Sequence, residues 1–378
     1  MQTINEKFGD DFNRPNGIYL LSHSIGLMPS DTQQYLDRRY FANWSDANQH
    51  TWPKWLEAIN EFTSELGTLL NSPAQQFCPQ TNVSSGLSKL IQSLPNSDKR
   101  NVILASERDF PSAGFVLEQA QRLGYTLRLI PKEEDIQSTE TWNEYLNDDV
   151  HCVFITQVLY SSNALVPVKE ICKLARKRDI FSIIDMAQAA GIVPIDLEQI
   201  KPDAAIGSCI KWLCGGPGAG FLWIAKERIM QLEPLDVGWF SHQDPFEFDI
   251  NNFEFSTSAS RFWGGTPSVI PFVIATNSLR LINKIGMESI RHHNQELTKE
   301  LLKSIPEECL SSPQDPENKG GTVVADFSIL GHSTKRKIES KLKNHNVHFD
   351  GRELGLRFSP HVYNNLAEVE KIAELLSV

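Results

Sequence analysis

The sequence predicts an α/β protein, with a large domain on a mostly parallel sheet and a small α+β domain at the C-terminal end. Two observations carry this. From about residue 100, short β-branched apolar runs alternate with amphipathic stretches, which is how parallel strands and crossover helices read. Beyond the middle of the chain that alternation stops, and shorter strands and helices close the sequence. Domain limits follow: residues 1–30 as a segment joining the small domain, 31–265 as the large domain, 266–378 as the small one.

In order, the large-domain elements are NVILA as a strand, FVLEQAQRLG as a helix, TLRLI and CVFIT as strands, VKEICKLARKRD as a helix, and FSIID, DAAIG and GFLWIA as strands. The small domain reads as TVVADFS (strand), STKRKIESKLKNH (helix), NVHFD and LRFS (short strands) and NLAEVEKIAELL (closing helix). Residues 238–267, GWFSHQDPFEFDINNFEFSTSASRFWGGTP, are aromatic, turn-rich and without period. They are expected to be long functional loops, because aromatics are costly to leave in a disordered linker.

Composition narrows the function classes. The 378 residues carry a formal net charge of -11, which argues against a nucleic-acid partner, since phosphate binding needs a basic surface. The one local excess of base, Lys335, Arg336 and Lys337, falls on an expected helix and reads as a solvated face. No apolar run approaches the length of a membrane span, and the polar, acidic start lacks a signal-peptide core, so a cytoplasmic protein is expected. Six scattered cysteines without paired spacing read as buried free thiols, with no metal site.

Two residues suggest chemistry. Asp185 ends the apolar strand FSIID, which places its carboxylate at the C-terminal edge of a parallel sheet, where open α/β folds bind ligands. Lys211 follows one strand later, in the small, apolar surround of GSCIKWLCGGPGAG. Taken singly these are a strand-end cap and a surface lysine. Together, in this order and spacing, they suit a pyridine cofactor: a carboxylate keeps the ring nitrogen protonated, and a lysine of depressed pKa forms an imine with an aldehyde and moves a Cα proton. The glycines of GGPGAG lack the spacing and the GK[ST] ending of a nucleotide loop, and read as a tight turn beside the lysine.

DMAQAAG followed by SCIKWLCGGPGAGFLWI resembles the cofactor signature of the class V aminotransferases, which are fold type I enzymes dependent on pyridoxal 5′-phosphate (PLP). The resemblance covers nearly the whole chain. Within that family YLLSHSIGLMP, ERDFPSAG, GWFSH and LRFSPHVYNN are most similar to the kynureninase branch. The resemblance implies that Asp185 pairs with the pyridine nitrogen, Gln188 with the ring hydroxyl, and that Phe110 stacks on the ring with Thr156 close by. It implies that Ser84, Ser85 and Ser208 hold the phosphate, a role that a helix N-terminus supports physically. Thr266 is expected to reach the phosphate of a neighbouring subunit, which implies a homodimer with shared active sites, and Trp239 to line the site. Arg357 would grip the α-carboxylate of a small amino-acid substrate, as a planar guanidinium can; His23 and Ser24 would border the substrate. Ordinary readings stand beside these: helix caps for the serines, a strand-surface arginine, core packing for Trp239 and a plain turn histidine.

Around the cofactor the chain departs from the kynureninase pattern. Ile210 replaces the tyrosine before the lysine, Ala113 an aspartate, Gln188 a histidine, and GTPS an SNPP segment. The reaction therefore stays open between transamination, kynureninase-like hydrolysis, and lyase, racemase or epimerase chemistry, with His23, His242 and Tyr160 as candidate extra acids or bases. A cysteine desulfurase is disfavoured, because no cysteine lies between Cys309 and Arg357. An inert scaffold of the same fold is the non-enzyme alternative; it predicts loss of Lys211, Asp185 or Arg357, and none is lost.

Overall fold

A computed structural model describes residues 2–95 and 99–377; residues 1 and 378, the outer ends of the expected domains, lie outside it. Its strands are β1 (Ile18–Tyr19), β2 (Phe77–Gln80), β3 (Val102–Ser106), β4 (Thr126–Ile130), β5 (Val150–Thr156), β6 (Phe181–Asp185), β7 (Ala204–Ser208), β8 (Gly220–Ile224), β9 (Val323–Ala325), β10 (Val347–His348), β11 (Asp350–Arg352) and β12 (Gly355–Phe358). The large sheet has the order β2-β8-β7-β6-β5-β3-β4, and β8 alone runs antiparallel to its neighbours.

Helices Pro111–Gln119, Thr139–Tyr145 and Val168–Lys177 form the crossovers between successive strands from β3 to β6. The central strands are buried on both faces, which explains their continuous apolar runs. Alternate residues separate the two cores: Ile155, Ile184 and Ala205 face one, Phe154, Ile183 and Ile206 the other. Each of the isoleucines and Phe154 contributes about 1.5–3 kcal/mol on burial. Beneath the first face, helices Thr51–Leu70 and Ile270–Ile285 pack together, with Phe62 and Phe272 at 5.0 Å between ring centroids.

The third core brings Ile18 and Leu20 against residues from Leu297 to Leu376. Here NVHFD, expected as one strand, is two. β10 pairs with β1 from the chain start, and after Phe349 the chain turns so that β11 pairs with β12. Residues 238–267 carry two 3-10 turns, Trp239–Ser241 and Ala259–Phe262, and one isolated antiparallel bridge between His242 and Phe255. All six cysteines are free and buried. Among the described residues, no helix is long and apolar enough to cross a membrane.

Because β3, β5, β6 and β7 run parallel, Ser106, Thr156, Asp185 and Ser208 end on one edge of the sheet. A cavity opens there.

Candidate active site

A cavity of about 230 Å³ opens at this edge, lined among others by Asn82, Ser84, Thr156, Tyr160, Ser208 and Lys211. Phe110, Asp185, Gln188, Ser112, Ala113 and Val158 complete much of its wall.

One end is the start of helix Val83–Gln92. Asn82 caps it, its side chain accepting from the Ser85 N–H at 2.9 Å. Ser84 faces the cavity, whereas the Ser85 hydroxyl accepts from Thr81 at 3.2 Å and stays outside the wall. Backbone N–H groups at this helix end and the Ser84 and Ser208 hydroxyls on the same cavity wall are donors of the kind an anion such as a phosphate takes up.

At the other end Asp185 is buried and accepts from the Ala187 N–H at 2.8 Å. Burial raises its pKa; the Ala187 hydrogen bond and the Lys211 charge oppose that. Burial likewise lowers the pKa of Lys211, Asp185 pulls it back up, and the Arg357 charge lowers it further. The Lys211 ammonium lies 5.8 Å from the Phe110 ring centroid, and Phe110 meets Tyr160 edge-on at 5.1 Å. A lysine biased toward its neutral amine, facing a buried carboxylate, is a poised nucleophile and base.

Polar groups here are left open. The buried Gln157 Oε1 has no hydrogen-bond partner among the described residues, and Thr156 lies against the Asp109 carboxyl. Behind them Asp109 accepts from the Ser106 N–H at 2.8 Å, and burial pushes its carboxyl up to about 7. Gln188 donates to the His23 carbonyl at 3.0 Å and accepts from Trp212 at 3.2 Å, which leaves one amide N–H for a ligand.

Eight of the residues expected at the site thus surround or border one cavity: Lys211, Asp185, Gln188, Phe110, Thr156, Ser84, Ser208 and, through Tyr160, Arg357. Arg357 is buried on β12 and donates to the Tyr160 carbonyl at 3.1 Å. The His23 ring faces a buried polar network instead, meeting Ser359 Oγ at 2.6 Å and Asp350 at 2.9 Å. Ser24 and Thr266 are exposed and do not line the cavity of their own chain. Trp239 packs with Trp52, Phe240 and Phe248 in a separate aromatic cluster. The His242 ring accepts from the Asp244 N–H at Nδ1 and donates from Nε2 to the Asn252 carbonyl, both at 2.9 Å, which makes it a loop anchor.

Sequence reading missed three contributors. Asn82 was legible as an N-cap before a helical run. Gly26 was not: its N–H binds the Ile210 carbonyl at 2.8 Å, and a Cβ at that position would lie 2.1 Å from the Lys211 carbonyl. Only glycine lets the N-terminal turn lie against the lysine loop. Asp350 is the third.

The donor set fits PLP: an amine for an aldehyde, a buried carboxylate for a pyridine nitrogen, a ring to stack and a helix end for a phosphate. The sequence model of the family Aminotransferase class-V matches residues 28–372. An uncharacterised aminotransferase of Bacillus subtilis is 26% identical over 334 residues, 88% of this chain and 87% of that protein. A kynureninase of Deinococcus radiodurans is 27% identical over 299 residues, 76% of this chain and 71% of that one. The apo cysteine desulfurase from Thermococcus onnurineus NA1 has the same fold, with a TM-score of 0.86 at 20% identity over 100% of this chain and 98% of that one. The chain belongs to the class V aminotransferase family, the fold type I enzymes whose cofactor is pyridoxal 5′-phosphate.

Proposed function

We propose that the protein is a cytoplasmic, homodimeric enzyme that transfers the amino group of a small L-amino acid. PLP, when bound, supplies an electron sink for charge developing at Cα. The chain supplies the rest. Lys211 Nζ, its charge disfavoured by burial, takes the Cα proton. The Asp185 carboxylate would keep the ring nitrogen protonated, and Arg357 offers N–H groups to the α-carboxylate.

One observation carries the choice of transamination: the additional acids that Cβ chemistry would call on are committed elsewhere. His242 is fixed between the Asp244 N–H and the Asn252 carbonyl, and His23 on Ser359 and Asp350. Transamination asks only for the lysine, the carboxylate and the clamp. A second reading, a kynureninase-like hydrolase or a lyase cleaving a bond at Cβ, is favoured by one residue. Tyr160 lines the cavity and could act as its acid.

The dimer is supported by the outward placement of Thr266 and Ser24, and by exposed Phe246, Phe248, Ile250 and Phe253 on the 238–267 loops. Six buried free thiols suit a reducing compartment.

The test uses purified protein loaded with PLP, its near-ultraviolet and visible absorbance followed while L-amino acids, including kynurenine, are added. Formation of a 2-oxo acid from the donor, matched by amination of an added 2-oxo acid, supports the proposal. Release of a fragment cleaved at Cβ favours the second reading. A protein that takes up no PLP, or that responds to no amino acid, refutes both.

A further inference from the structure

Arg357 does not stand alone. In the antiparallel pair β11–β12 its register partner is Asp350, joined through the two-residue turn Glu353-Leu354. Arg357 Nε donates to Asp350 Oδ1 at 2.8 Å and Nη2 donates to Oδ2, a fork-to-fork pair along one edge of the guanidinium. Nη1 donates to the Tyr160 carbonyl at 3.1 Å. Of five N–H groups, one on each Nη is left, and no other acceptor meets them among the described residues.

Asp350 is itself held. His23 Nε2 meets Oδ1 at 2.9 Å, and His23 Nδ1 meets Ser359 Oγ, which Thr322 Oγ1 approaches to 2.8 Å. Since Asp350 accepts, a neutral His23 carries its proton on Nε2. The hydroxyls of Thr322 and Ser359 then donate in series toward Nδ1. The chain ends at the cavity, because the His23 carbonyl receives the Gln188 amide and the Tyr160 carbonyl receives Arg357.

We propose that Asp350, oriented by His23, is a positioning residue that fixes Arg357 so that its two remaining N–H groups meet the substrate α-carboxylate. This rests on the amino-acid reading above. A lone buried arginine could rotate about its long side chain; one bound along its Nε–Nη2 edge cannot. The pair also neutralises the guanidinium close to Lys211, so that binding depends on hydrogen-bond geometry more than on net charge.

A competing arrangement, in which Asp350 occupies the arginine and must leave before substrate binds, makes the opposite forecast. The experiment measures half-saturation of the PLP absorbance change by an L-amino acid and by its carboxamide, for wild type, Asp350→Asn, Asp350→Glu and Arg357→Gln. Asn places an amide N–H against the arginine donors, so Asp350→Asn should weaken acid binding about 10- to 100-fold, the worth of a charged hydrogen bond. The carboxamide should be little affected, and Asp350→Glu should recover part of the loss. A purely structural role would move both ligands equally, and a competing Asp350 would make the Asn variant bind the acid more tightly; either result overturns the proposal. Unfolding midpoints of the variants separate misfolding from misplacement. If Arg357→Gln also fails to separate acid from amide, the carboxylate reading itself falls, and this inference falls with it. If Arg357→Gln separates them and Asp350→Asn does not, the inference alone fails.

Discussion

The edge of the large sheet and the hairpin network of the small domain are both buried and polar, yet they are built in opposite ways. At the sheet edge, groups are buried without being fully satisfied: Gln157 Oε1 lacks a partner, and burial acts against the charges of Lys211, Asp185 and Asp109. In the network, His23, Asp350, Arg357, Ser359 and Thr322 are linked by hydrogen bonds throughout. Unmet polar groups mark the place prepared for a ligand; met ones mark a support. Substitution at the edge should therefore cost function and spare or raise stability; substitution in the network should cost stability, and function as well where it reaches Asp350 or Arg357.

The largest effect belongs to Lys211→Ala. Turnover should fall by at least about 10³-fold, the scale of a lost proton-transfer group. The unfolding midpoint without cofactor should hold or rise, because a desolvated charge is gone. A variant that is as inactive as expected but clearly less stable would show Lys211 supporting the fold, and the contrast would weaken.

Gly26→Ala strikes the joint between the two regions. The new methyl meets the Lys211 carbonyl and the Cys214 sulfur. A loss of about 3 kcal/mol in denaturant unfolding is expected from overpacking, along with weaker PLP retention as the lysine loop is pushed aside. Retention unchanged alongside lost stability would mean that the turn and the loop move together.

Ser359→Ala probes the network alone. It leaves His23 Nδ1 and Thr322 Oγ1 without the hydroxyl between them, and a loss of about 2 kcal/mol is expected in equilibrium unfolding. An unchanged midpoint would show that the hydroxyl adds nothing net to the network, and the contrast between the two regions would weaken.

How far the sequence revealed each region follows the same division. β4 and β6 coincide with TLRLI and FSIID, and Lys211 and Asp185 were readable because a parallel sheet puts strand ends on one edge by rule. Local pattern was enough. The network joins residues 23, 322, 350, 357 and 359, and nothing local announces it. The turn Glu353-Leu354 lacks the Asn-Gly signature of a two-residue hairpin, so the cross-strand pairing of Asp350 with Arg357 could not be placed. His23 was singled out, but its partners lie more than 300 residues away. Trp239 was expected at the cofactor, and its aromatic neighbours show why a dense loop reads alike for packing and for binding.

The smallest effect tests the sheet edge by pH. Burial holds the Asp109 carboxyl up at about 7, above the ordinary range of an unfolded aspartate. The folded state therefore keeps its proton more tightly than the unfolded chain does. The stability this gives is full below the unfolded pKa, about 4, and is lost as pH rises from there through about 7. Asp109→Asn keeps the shape and the acceptor for the Ser106 N–H, and does not titrate. Relative to wild type it should be less stable by the burial cost of the amide, about 2–3 kcal/mol, below about pH 4, then gain progressively until it stands about 1–2 kcal/mol ahead as pH passes about 7, and level off above. Urea unfolding across that range gives the difference directly. A flat difference would mean that Asp109 ionises as freely in the fold as outside it, and the claim that this edge stores unfavourable burial would then rest on Lys211 and Asp185 alone.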